Sequence, residues 1–109
     1  MKVEFLWWEG CPSHPEALEQ LKGVLRDEGL DPDAVELREI ESDEQARQER
    51  FPGSPTIRID GEDMVPAGDG QPMTLTCRVY QLRDGRTSPT PDPDDLRDAV
   101  RAAKARIAA

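Results

Sequence analysis

Only two residue types in this 109-residue chain offer nucleophilic or proton-transfer chemistry near neutral pH: the two cysteines, Cys11 and Cys77, and the single histidine, His14. Cys11 stands in Glu9-Gly10-Cys11-Pro12-Ser13-His14, directly after an apolar run and directly before a helical pattern. A thiol at a helix N-terminus meets the positive end of the helix dipole and unpaired backbone N–H groups, and both favour the nucleophilic thiolate. His14 falls within one helical turn of it. Protonated, it would lower the thiol's pKa further, and neutral, it would accept a proton. It reads equally as a solvent-facing residue of the first turn. Cys77 lies in Leu75-Thr76-Cys77-Arg78-Val79-Tyr80 and reads in two ways. It is either a buried strand cysteine acting as a small hydrophobe or a second thiol brought near Cys11. A bridge between them needs Cα atoms within about 7 Å.

The elements that must position these groups follow from periodicity. Lys2 to Trp8 is apolar at nearly every position, which suits a strand buried on both faces. Trp7 and Trp8 then face opposite sides, one toward the core and the other beside Cys11. From Pro15 the stripe Ala17, Leu18, Leu21, Val24, Leu25 is helical, and Gly29 is its stop. Val35 to Ile40 reads as a short strand with Val35, Leu37 and Glu39 on one face. Ser42-Asp43-Glu44-Gln45 has the form of a capping box, with Gln45 reaching back to Ser42, and predicts a short helix to about Arg50.

Thr56 to Ile59 alternates as a strand, Asp60-Gly61 is a tight turn, and Met64 with Val65 would form the returning strand. Pro66 to Pro72 reads as loop and Thr74 to Leu82 as a further β run, with a turn at Asp84-Gly85. Asp92 caps the last helix, with Pro93 in its first turn and Leu96, Val100, Ala103 and Ile107 facing the core. The Asp-rich start of that helix lacks the ligand spacing of a calcium loop. The order β-α-β-α-β-β-α, with one extra β segment, implies an α/β fold: a mixed four- to five-stranded sheet with helices on both faces, in a single domain over residues 1–109.

Composition narrows the function classes. A formal charge of −9, with arginines spread singly among carboxylates, opposes any role that wraps nucleic-acid phosphates. No stretch approaches the roughly 20 apolar residues that span a bilayer, and Glu4 and Glu9 interrupt the N-terminal apolar run that a signal peptide would need. The expectation is therefore a cytoplasmic protein without a membrane or nucleic-acid partner. In a reducing compartment two cysteines are not a disulfide framework. They are core filler, reactive thiols or metal ligands.

Trp7-Trp8-Glu9-Gly10-Cys11-Pro12-Ser13-His14 resembles the strand, Trp and Cys-x-x-Cys segment of the thioredoxin-like superfamily, and Gly53-Ser54-Pro55-Thr56-Ile57 resembles its small-residue-Pro-Thr segment. The order of elements is similar over nearly the whole chain, while identity is confined to these two stretches. The resemblance implies that Cys11 is the attacking thiol and that Pro55 is cis and packs against it. It implies that the Ser54 backbone pairs with a bound peptide or thiol substrate, in a groove shaped by Trp8, Pro12, Ser54 and Pro55. The chain departs from the family at His14, which stands where the second cysteine belongs.

Three routes remain: Cys11 working alone through mixed disulfides with glutathione as co-substrate, Cys11 resolved by Cys77, or a fold kept without redox chemistry. The expected partner is a protein or small-molecule thiol or disulfide, with no resident cofactor or metal. The alternative is a non-catalytic module holding a soft metal (Zn, Cu or Hg) through Cys11, His14 and Cys77, or holding a protein partner. Cys77-Arg78-Val79-Tyr80 is also similar to a segment of organomercurial-lyase-related proteins, which use cysteine pairs and an aspartate; Asp69 is the nearest loop carboxylate.

Overall fold

The structure is a computed structural model and describes residues 1–64 and 72–108. Its strands are β1 (Val3–Trp7), β2 (Glu36–Glu39), β3 (Thr56–Ile59), β4 (Glu62–Asp63), β5 (Tyr80–Gln81) and β6 (Thr87–Ser88). Its helices are α1 (His14–Asp27), α2 (Asp43–Glu49) and α3 (Pro93–Ala108), with a 3-10 turn at Pro32–Ala34. Four strands form one mixed sheet in the order β2-β1-β3-β4, and β5 pairs with β6 separately. β1 runs parallel to β2, with Phe5 opposite Leu37, and antiparallel to β3, with Phe5 opposite Ile57. β3 returns antiparallel through Asp60-Gly61, both residues at positive φ, into β4.

Alternation along β1 divides the protein into two layers. Val3 and Phe5 join Ile57 and Ile59 of β3 against Leu21, Val24 and Leu25 of α1 and Leu96, Val100 and Ala103 of α3. Leu6, on the opposite face, packs with Ile40, Ala46 of α2 and Phe51. Helices therefore cover both faces, as a run apolar at nearly every position implies. The intruding Glu4 shares Leu6's face. It is buried there with an ion pair to Arg38 Nη1 at 2.8 Å, and Arg38 Nη2 reaches Glu49 Oε1 at 2.9 Å. The charge within the strand is thus neutralised by Arg38 of β2, which also pairs with Glu49 of α2. No helix among the described residues is long and apolar enough to cross a membrane.

Several boundaries differ from the periodicity. β2 is an edge strand, and Leu37 is 55% exposed because the α1 and α3 core is centred on β1 and β3. Ser42 Oγ accepts from Gln45 N at 3.1 Å as a cap should, but the Gln45 amide oxygen accepts from Glu41 N, one residue before the expected partner. The run from Thr74 to Leu82 is not one strand. It touches Ser54 as an isolated bridge at Cys77 and becomes regular only at β5. Asp92 caps α3 as expected, accepting from Asp94 N at 2.9 Å while its other oxygen accepts from Arg83 N. Val65, the loop to Gln71 with Asp69, and the side chain of Ile107 lie outside the described residues.

Candidate functional site

β1 ends at Trp7, and the turn that follows is closed by Cys11 N donating to Trp8 O at 3.0 Å. This places the Cys11 sulfur beneath the start of α1. Ser13 is the residue before that helix, but its backbone is helical (φ −95°, ψ −3°) and its side chain caps nothing. A capping serine would be extended. Here the hydroxyl lies instead 3.2 Å from Cys11 Sγ.

Ser54 approaches from the other side. It is fully buried, its peptide bond to Pro55 is cis, and its carbonyl accepts from Cys11 Sγ at 3.4 Å. Ser54 Oγ accepts from Trp8 N at 3.1 Å, which leaves its own hydroxyl proton to be donated to the thiolate. Cys77 meets Ser54 through a backbone bridge, so its segment lies on the same residue that touches the Cys11 sulfur. Both cysteines are free thiols. Cys11 is buried, and Cys77 is exposed.

The two thiols are driven apart in acidity. Burial pushes the Cys11 thiol up, but hydrogen bonds from the Ser13 and Ser54 hydroxyls, the Ser13 backbone and Cys77 outweigh it, so its pKa lies below the ordinary thiol value. Cys77 is pushed above that value by its partial desolvation and by giving its proton to Cys11. The two thiols are thus shifted in opposite directions, and their titrations are linked.

A pH dependence follows. Unfolded thiols titrate near about 8.5. Below that, the depressed Cys11 contributes stability that is lost as pH falls through its folded value. Above it, the raised Cys77 contributes a term that is lost as pH rises, since the unfolded thiol ionises first. Urea unfolding of the native chain minus that of a Cys11→Ser/Cys77→Ser variant should therefore peak between the two folded values. A difference that only falls as pH climbs through the thiol range would contradict the assignment.

The other expected residues are distributed as follows. His14 does not touch the thiol. Its ring packs on Trp7 at 4.5 Å between centroids, and the groups acting on Cys11 are serines and a cysteine. Trp7 packs against the α1 and α3 core, and Trp8 packs against the Leu6 cluster while its backbone holds Ser54. Pro12 is exposed in the turn. The Ser54 backbone expected to receive a substrate is already paired, with its N–H on Thr76 O and its C=O on Arg78 N, both at 2.8 Å. Among the described residues no group of three or more His, Cys, Asp or Glu side chains is arranged to hold a metal ion.

Cys77 is not the buried strand cysteine of the hydrophobic reading. Alternation through its segment runs the other way. Cys77 and Val79 face outward while Arg78 and Tyr80 are 8% and 3% exposed. Arg78 Nη1 pairs with Asp63 Oδ2 at 2.7 Å and meets Thr56 Oγ1 at 3.3 Å, and its guanidinium lies 4.7 Å from the centre of the Tyr80 ring. The Tyr80 hydroxyl donates to Pro55 O. Gly53, at φ +149°, admits this segment, since a Cβ there would stand 3.1 Å from the Arg78 backbone. Ser13, Arg78 and Tyr80 are thus site residues that the sequence presented only as members of the Cys11 motif and of the Cys77-Arg78-Val79-Tyr80 segment, with no role of their own. Comparison with protein-family models, with curated proteins and with solved structures found no match to this chain.

Proposed function

We propose that the chain is a thioredoxin-like thiol–disulfide exchange protein of the cytoplasm that works through Cys11 and Cys77. The observation that carries this reading is the meeting of both cysteines at Ser54, whose carbonyl lies 3.4 Å from the Cys11 sulfur and whose backbone bridges to Cys77, with one thiol depressed and the other raised in pKa. Three further features support it. Cys11 lies between β1 and α1. The cis Ser54–Pro55 peptide is beside it, as the resemblance implies. Helices cover both faces of the mixed sheet. With Cys77 present, the missing second cysteine at His14 does not prevent an intramolecular disulfide.

The reaction balances as follows. A substrate disulfide takes two electrons from the pair, its S–S bond breaks, and two substrate sulfurs leave as one thiol and one thiolate. The Cys11–Cys77 bond forms in their place. Two equivalents of a small thiol such as glutathione reverse the step and regenerate the pair, with no resident cofactor.

Titration with oxidised glutathione, followed by intact mass and peptide mapping, tests the reading. The native chain should lose two hydrogens and yield a Cys11–Cys77 peptide pair, and neither single Cys→Ser variant should bridge. Thiols left unmodified, or a glutathione adduct on the native chain that persists without bridging, would count against it.

A further inference from the structure

We infer that Cys77, and not Cys11, is the thiol that meets an incoming disulfide, with Cys11 acting behind it as base and then as resolving nucleophile. The inference rests on the exchange reading above and reverses the order that the motif alone implies. Exchange requires the attacking sulfur to be reached. Cys11 has 0% exposure, whereas Cys77 is open to solvent.

The segment carrying Cys77 is not a loose flap that would uncover Cys11 freely. Thr76 O and Arg78 N hold both backbone groups of Ser54. Upstream, Asp43 Oδ1 accepts from Thr74 Oγ1 at 2.7 Å and from Leu75 N at 3.0 Å. Downstream, Arg78 is buried on Asp63 and Thr56 and lies against the Tyr80 ring. The cover is therefore fixed on both sides of the thiol it presents.

The steps balance. The Cys11 thiolate takes the proton of Cys77, and the Cys77 sulfur attacks one sulfur of R–S–S–R. A Cys77–S–S–R mixed disulfide forms, and the departing RS⁻ takes the proton from Cys11. The Cys11 thiolate then attacks the Cys77 sulfur, and the second substrate sulfur leaves as RS⁻. One thiol, one thiolate and the Cys11–Cys77 disulfide result.

The test is rapid mixing with hydroxyethyl disulfide, acid quenching and peptide mapping. The transient adduct on the native chain should fall on the Cys77 peptide. Cys11→Ser should hold a stable adduct on Cys77. Cys77→Ser should be modified at Cys11 about 30-fold more slowly, the factor for first opening the two Ser54 hydrogen bonds. A native adduct on Cys11, or modification of Cys77→Ser as fast as Cys11→Ser, would overturn the inference while leaving exchange intact. A native chain that neither bridges nor forms an adduct would overturn the exchange reading and this order with it.

Discussion

Arg78→Met is expected to destabilise the fold by about 3 kcal/mol, a loss typical of removing one partner from a buried ion pair. The guanidinium is 8% exposed and faces Asp63, Thr56 and the Tyr80 ring. Methionine keeps much of the stem's apolar packing but takes the cation away from the Asp63 carboxylate. That carboxylate is 19% exposed, so some water reaches it, and the cost stays at the lower end of the range for fully buried pairs. Urea unfolding measures the loss. Adding Asp63→Leu separates its causes: if the carboxylate facing an apolar side chain is the main term, the double variant recovers most of the stability.

The same substitution should alter reactivity, because Arg78 anchors the segment that covers Cys11. Maleimide labelling of Cys11 under native conditions should accelerate in Arg78→Met. A loss below about 1 kcal/mol, a value within reach of ordinary surface changes and single hydrogen bonds, together with unchanged labelling, would show that Arg78 is not the anchor.

The contrast between Arg78 and Cys11 shows what was readable in the sequence. The position of Cys11 follows from local pattern. A strand apolar at nearly every position, a Gly-Cys-Pro turn and the stripe Ala17, Leu21, Val24, Leu25 place a thiol between β1 and α1, and the structure has it there. The mixed sheet was legible for the same reason, since Asp60-Gly61 and the alternation of Thr56 to Ile59 are local signals. Meetings between residues far apart in sequence were not. Ser54 pairs with Cys77 across 23 positions, and no local periodicity encodes that register. Charged Arg78 and hydroxylated Tyr80 read as the outward side of a strand, with Cys77 and Val79 inward. The partners that reverse this, Asp63 and the Pro55 carbonyl, come from β4 and the cis-proline turn. Ser13 has no distinguishing local pattern, and its helical backbone and uncapped side chain set its hydroxyl beside the thiol.

The second large effect concerns the smaller core beneath the site. Phe51→Ala is expected to cost about 4 kcal/mol, within the range for deleting a buried aromatic ring. Among the described residues its cluster has four buried members, Leu6, Ile40, Ala46 and Phe51, so the ring is a large share of the apolar contact joining α2 to the sheet. The surroundings have little freedom to collapse into the gap. Leu6 is held in a strand paired on both sides, Ile40 N donates to Trp7 O at 2.8 Å, and the Phe51 backbone is tied to Ala46 O. Against a typical domain stability of about 5–15 kcal/mol, the loss is a major fraction. Trp8 and Leu75 pack against the same cluster. The first holds Ser54 through its backbone, and the second lies two residues from Cys77, so the cavity should also loosen the cover over Cys11 and speed its labelling. Leu37→Ala supplies the comparison: that side chain is 55% exposed on the edge strand and should change stability by no more than about 0.5 kcal/mol. Equal urea midpoints for the two variants would mean that the α2 layer contributes no more than the exposed edge.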